Sequence, residues 1–273
     1  RGLGDVYKRQ GQDIGDPLFR GLRSGWMMAH LHSFPERISA LVVGASGGIG
    51  AAFARQLLAS PRVDTVHAWS RRPIDKGDPR LLSDVVDITD EAAIEAAAAR
   101  LGDVRLVIVA TGLLHDDATG LAPEKTWRDL DFHKLQRSFA INAIGPALVA
   151  KHVLARFPRD KRAVFAAISA RVGSISDNRL GGWYGYRASK AALNQMIRSL
   201  SIELGRTLRQ AVCIGLHPGT VDTPLSEPFQ GNVPEGALFT PADAASRLLT
   251  VIDGVMPADS GNVFAYDGTI IQP

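Results

Sequence analysis

The run Tyr186-Arg187-Ala188-Ser189-Lys190 sets a phenol and an ammonium four residues apart, so on a helix the two would share one face. An ammonium close by favours the phenolate and draws a tyrosine pKa down from about 10 toward neutrality. A phenol tuned in this way can give a proton to a carbonyl oxygen as a hydride reaches the carbon, or run the exchange backwards. The spacing alone is common, and a plain surface Tyr–Lys pair is its ordinary alternative. A second feature lies far upstream. Gly44-Ala45-Ser46-Gly47-Gly48-Ile49-Gly50 spaces glycines as G-x-x-x-G-x-G between a short apolar run and a helical stretch, the setting that a dinucleotide fingerprint needs. Gly44 would permit the tight turn, Gly48 would let backbone N–H groups approach a pyrophosphate, and Gly50 would let helix and strand pack closely. The positive end of the helix would face the phosphates. Ser46 and Ile49, inside the turn, join the candidate contacts.

Further residues bear on which dinucleotide is read. The second strand ends Trp69-Ser70-Arg71-Arg72. A free ribose 2′-hydroxyl favours an acidic residue at this point, whereas a 2′-phosphate favours arginine. Arg71, with Arg72 beside it, therefore argues for NADP(H) over NAD(H), against the alternative of solvated surface arginines. Asp87, followed by Ile88, either accepts from an adenine amino group or caps the next helix.

These residues must be held by elements, and the elements are regular from Ile38 onward. Short apolar strands are expected at 38–43, 65–69, 81–86, 105–110, 163–168, 211–216 and 262–266, most of them apolar enough to be buried on both faces. Helices are expected at 48–59, from Thr89 or Asp90 to about Leu101-Gly102, at about 132–157 with an unusual Gly145-Pro146 pair inside, at 184–206, and at 242–253. Strands separated regularly by helices imply parallel βαβ units. The fold class is then α/β: a single-domain, Rossmann-type, doubly wound parallel sheet with helices on both faces.

Composition narrows the field further. The chain has 273 residues, enough for a large core, and is 45% apolar, too much for a disordered chain. Its single cysteine, Cys213, rules out an internal disulfide and any Cys-rich metal site, and points to a reducing, cytoplasmic setting. With 31 Lys+Arg against 28 Asp+Glu, the net charge of +3 gives little reason to expect a nucleic-acid partner. No uncharged apolar run approaches membrane-spanning length, so no membrane partner is expected. The first residue is Arg1 and the first methionines are Met27 and Met28. Residues 1–37 are expected to form a lead outside the domain, with the native start near Met27 and Arg1–Trp26 as upstream sequence. The domain itself is expected to occupy 38–273.

Taken together, the glycine turn and the Tyr–Lys pair make the sequence resemble the short-chain dehydrogenase/reductase family, from Ile38 to Pro273. Ala110-Thr111-Gly112 stands at the family's N-A-G turn, with alanine in place of the asparagine. Asn142 falls on the family's helix asparagine, and the resemblance implies that it interrupts the helix and holds a water linking Lys190 to solvent. His217-Pro218-Gly219-Thr220-Val221-Asp222-Thr223 matches the P-G-x-x-x-T segment, implying cofactor contacts from Pro218, Gly219, Val221 and Thr223. Gly181-Gly182-Trp183-Tyr184 and the closing Tyr266-Asp267-Gly268 look like the C-factor and sniffer carbonyl-reductase branch. Family resemblance further implies a homodimer or homotetramer built on the two long helices.

One position departs from the pattern. The family's catalytic serine stands three residues before a glycine, and in Ile168-Ser169-Ala170-Arg171-Val172-Gly173 that position is Ala170. Ser169 serves if the strand end twists, Ser174 if it reaches in from the loop, or no serine serves and turnover is slow. Ser169 is preferred. The expected activity is NADP(H)-dependent reduction of an aldehyde or ketone to an alcohol, or the reverse, on a small-molecule substrate. Tyr186 is the acid/base, Lys190 tunes it, Asn142 completes a relay and a serine polarises the carbonyl. The loop from Leu225 to Phe239 is read as an apolar lid or, equally, as a packed connection. The alternative is a low-turnover NADP(H)-binding sensor of C-factor type.

Overall fold

Strand β1 (Ile38–Val43) consists of small and branched apolar residues, and Ala40, Leu41 and Val42 have no solvent exposure, as a strand covered on both faces requires. The computed structural model describes residues 31–74, 77–234 and 236–273. β1 pairs in parallel with β2 (Val63–Ser70) on one side and β4 (Leu106–Val109) on the other. The sheet continues through β3 (Leu81–Val85) at one edge. On the other side it runs through β5 (Ala163–Ile168), β6 (Ala211–His217) and β9 (Val263–Ala265) to the antiparallel edge strand β10 (Ile270–Ile271). The order is β10-β9-β6-β5-β4-β1-β2-β3. Strand order reverses between β1 and β4, so their connections diverge at the carboxyl ends and leave a crevice there. A separate two-stranded piece, β7 (Thr220–Val221) with β8 (Leu238–Phe239), lies in the segment beyond β6.

Alternation along each strand feeds two cores. Ala40 and Val42 pack with Phe53 and Leu57 of α1 (Gly48–Ala59) and with Leu248 and Ile252 of the later α6 (Pro241–Gly254). Leu41 and Val43 face the opposite layer. There they join Ile94 of α2 (Glu91–Ala99), Val149 of α4 (Gly145–Val153) and Ile197 of α5 (Tyr184–Thr207). α2 is capped by Asp90, whose side chain accepts from Ala93 N–H. That resolves the choice between Thr89 and Asp90.

The helical run at 132–156 is interrupted. α3 (Phe132–Phe139) passes into a π turn at Ala140–Ile144 before α4 begins. Pro146 has no N–H to return to the carbonyl of Asn142. Gly145 N–H instead reaches back to Ala140 O, and the helix widens. By length and composition this run is apolar enough to cross a bilayer, although it has no uncharged stretch of spanning length. Its Ala143, Val149, Ala150 and Val153 are packed in the second core.

The packed body begins upstream of the expected boundary at Ile38. Leu31 and Phe34 are buried in the first core. The guanidinium groups of Arg105 and Arg162 stand 5.7 and 5.2 Å from the Phe34 ring. His32 and Ser33 N–H groups donate to the Asp253 carboxylate. The expected start near Met27 and the segment Arg1–Trp26 lie outside the described residues.

Candidate active site

The glycine turn sits at the crevice. Gly44 takes φ +84°, and its N–H and that of Ala45 both donate to Trp69 O, at 2.8 and 3.1 Å. This ties the end of β1 to the end of β2. A Cβ on Gly50 would lie 2.2 Å from Gly44 O, so helix and strand meet backbone to backbone. A Cβ on Gly48 would lie 2.7 Å from Thr223 Cγ2, which brings the Pro218–Thr223 segment against the turn. The N-cap of α1 is Gly47, with no side chain to bond the first N–H groups, and these remain available to an anion.

A cavity of about 990 Å³ opens from this turn. Gly44 and Ser46 line it; Ile49 and Gly50 stand in the helix behind. Arg71, Arg72, Asp87 and Ile88 close one end, and Ala110 and Gly112 form its floor. Burial works to raise the Asp87 pKa. Hydrogen bonds from Thr89 N–H and Oγ1, at 2.8 and 2.7 Å, with the charges of Arg71 and Arg137, outweigh it and hold the carboxyl ionised. Asp87 therefore bonds the turn before α2, while Asp90 caps that helix. Thr111 Oγ1 is buried in this wall with no partner among the described residues. An unpartnered hydroxyl, open helix N–H groups and two arginines suit the phosphates of a nicotinamide dinucleotide.

The second half of the site is carried by α5. Lys190 is 1% exposed, and its Nζ donates to Ile168 O at 2.7 Å, just where β5 ends. The same ammonium lies 5.8 Å from the centroid of the half-buried Tyr186 ring. Burial pulls the Lys190 pKa down to about 7. Asn142, fully buried in the π turn, accepts from Leu113 N–H and donates to Leu113 O, both at 2.8 Å, and donates to Ser189 Oγ at 3.0 Å. Gly112 is the meeting point. Asn142 Oδ1 and Lys190 Nζ both lie 3.9 Å from where its Cβ would be. The fold thus gathers Tyr186, Lys190, Asn142 and Gly112 beside the cavity.

The two serine hydroxyls each have a partner of their own. Ser169 Oγ donates to Asn194 Oδ1 at 2.6 Å, one helical turn beyond Lys190 and two beyond Tyr186. Ser174 Oγ faces Ser176 Oγ at 3.4 Å and accepts from Asp177 N–H. Ala170 is buried between them. Of the remaining candidates, Gly219 adopts φ +76° against the rings of Phe239 and Tyr266. Val221 lies in β7, its carbonyl accepting from Thr223 Oγ1 at 3.4 Å, with Pro218 at the turn before. His217, ending β6, is kept neutral by burial, its pKa held down to about 3.

Several wall residues escaped the sequence reading. His115 and Arg137 line the cavity. Arg137 comes from α3 and pairs with Asp116 at 2.7 Å. The loop from Leu225 to Phe239 packs on this wall. Phe229 stacks edge-on between His115 and Trp183, at 5.9 and 5.0 Å, and Trp183 in turn stands 6.3 Å from Tyr186. No local motif marks such residues, because tertiary packing alone brings them in.

Comparison with known proteins agrees with this geometry. The family model for short chain dehydrogenase matches residues 39–233. The chain is 33% identical over 237 residues to 1-hydroxy-2-glutathionyl-2-methyl-3-butene dehydrogenase of Rhodococcus sp. (strain AD45), covering 85% of this chain and 98% of that protein. It is 38% identical over 141 residues to C-signal of Myxococcus xanthus, covering 52% of this chain and 80% of that one. The crystal structure of NADPH-bound carbonyl reductase from chicken fatty liver superposes with a TM-score of 0.77 at 26% identity, over 92% of this chain and all of that one. Carbonyl reductase Sniffer of D. melanogaster shares the fold, with a TM-score of 0.75 at 20% identity over 87% of this chain and 100% of that one. A Rossmann-type sheet with this site defines an NAD(P)-dependent oxidoreductase. The chain belongs to the short-chain dehydrogenase family.

Proposed function

We propose that the protein is an NADP(H)-dependent carbonyl reductase or alcohol dehydrogenase in which Tyr186 moves the proton. The observation that carries this reading is the buried Lys190 ammonium, fixed on Ile168 O and 5.8 Å from the Tyr186 ring. When bound, the nicotinamide supplies or accepts the hydride. Everything else falls to the chain. Tyr186 gives its proton to the carbonyl oxygen, and Lys190, with a pKa of about 7, is matched to reload it near neutral pH. Asn142 fixes Leu113 in the cavity wall and Ser189 on α5 at once, and so holds the two halves of the site in register. Arg71 and Arg72 favour the 2′-phosphate, in keeping with the NADPH held by the chicken carbonyl reductase. The test follows NADPH and NADH oxidation against a panel of aldehydes and ketones. Tyr186→Phe should lower turnover by about 10³, and equal activity of the two proteins would sink the assignment.

A second reading draws on Ala170. Position 170 has no hydroxyl, while Ser169 Oγ donates to Asn194 Oδ1 and Ser174 Oγ bonds within its own loop. Alanine at this position supports a low-turnover NADP(H)-binding sensor, and the likeness to C-signal points the same way. Tight NADPH binding without turnover across the panel would favour it over the reductase.

A further inference from the structure

We propose that Glu124 is the anchor of the helix that carries Tyr186 and Lys190, a positioning residue that holds the phenol in place through the helix end without touching substrate. The entry to α5 is unusual. Gly181, Gly182 and Trp183 follow one another in the left-handed region, with φ of 65°, 65° and 54°. Glycine bears this freely, but in tryptophan the Cβ crowds the following carbonyl, so the surroundings must impose it. Trp183 is also the N-cap, and it offers the helix no side-chain bond.

Glu124 supplies both what imposes the turn and what caps the helix. Its backbone carbonyl accepts the Trp183 N–H at 2.6 Å, and its carboxylate Oε2 accepts the Gly185 N–H at 3.1 Å. It is 61 residues away in sequence and only 6% exposed. A Cβ on Gly185 would stand 2.9 Å from the other carboxylate oxygen, so the anion sits directly on the helix end, where the backbone dipoles favour it. Tyr186 is the next residue.

The loop that delivers Glu124 is itself tied down. Leu113 is bonded in both directions to Asn142, Asp116 pairs with Arg137 at 2.7 Å, and Asp116 and Leu121 exchange backbone bonds at 2.8 and 3.0 Å. One wall of the cofactor cavity therefore ends as the anchor of the catalytic helix. Lys190 has its own fixture on Ile168 O. Losing the Glu124 carboxylate thus loosens the first turn, with Tyr186 in it, while the backbone bond to Trp183 and the Lys190 fixture stay in place.

The proposal rests on Tyr186 being the proton donor, and Tyr186→Phe is assayed alongside to keep the two failures apart. In the full chain, Glu124→Ala should lower kcat for carbonyl reduction roughly tenfold, because a phenol displaced by a fraction of an ångström loses its alignment. The NADPH dissociation constant, read by nucleotide fluorescence, should stay within twofold. Glu124→Gln keeps an acceptor for Gly185 N–H and should recover at least half of kcat. Glu124→Asp, one methylene short, should fall between them and serves if the alanine variant does not fold. An unchanged kcat in the alanine or aspartate variant overturns the proposal. So does a glutamine variant as slow as alanine, or NADPH affinity lost in step with kcat. Wild-type turnover in Tyr186→Phe would instead bring down the functional reading underneath.

Discussion

Helices α1 and α5 both begin without a capping side chain of their own, and the fold treats the two ends in opposite ways. At α1 the N-cap is Gly47, and the first turn is left open beside a cavity of about 990 Å³. At α5 the N-cap is Trp183, and the carboxylate of Glu124 closes the end from a loop far away in sequence. A helix N-terminus attracts anions in either case. The difference is whose anion it is. On the function proposed here, one end takes the phosphates of the cofactor; the other is occupied by the protein's own carboxylate, which is proposed to hold a side chain in its first turn still.

The contrast is broken most severely at α1. Gly50→Ala places a methyl 2.2 Å from Gly44 O, and neither atom belongs to a flexible side chain. The helix must leave the strand, and stability should fall by about 3 kcal/mol in a denaturant titration. A midpoint unchanged from wild type would show that the turn has room to spare.

At α5 the opposite sign is expected. Lys190 is buried, and its pKa is about 7 in the folded chain against 10.5 for the free side chain. Between those values the unfolded chain binds the extra proton, so stability rises with pH across this window. Below about pH 7 the group is charged in both states and the burial cost is fully felt. Lys190→Met should therefore stabilise the protein by roughly 2 kcal/mol at pH 6, and by less at pH 10, while abolishing turnover. Equal thermal shifts at both pH values would show that the buried ammonium costs nothing.

The smallest effect sharpens the ligand end. Arg71→Asp puts a carboxylate where the 2′-phosphate would bind, and should raise the KM for NADPH about tenfold while sparing or improving that for NADH. Parallel initial-rate measurements with the two nucleotides check it. An unchanged ratio would assign Arg71 to solvent.

How much of this was legible depended on the range of the interaction. β1, α1 and β5 lie where the apolar runs put them, because burial on both faces leaves a local mark. The ends of β2 and α6 shifted by one or two residues, and β10 was not anticipated, since two residues at a sheet edge make no pattern. Gly145-Pro146 was visible as an oddity and the resemblance implied an interruption at Asn142, but that the interruption is a π turn came only from the backbone. Leu31 and Phe34 read as part of a lead outside the domain, and they are packed in the first core.

The sequence by itself determined the alternation of strands and helices, the glycine turn, the arginines after β2, and the Tyr186–Lys190 pair. Each depends on residues a few positions apart, whose geometry the backbone fixes. Tertiary structure alone decided where the Ser169 hydroxyl points, that Lys190 leans on Ile168 O, and that Glu124 reaches the end of α5. Those contacts join segments 22 to 61 residues apart. They are settled by which groups must find a partner once the sheet and helices have closed around them, and no local spacing records that requirement.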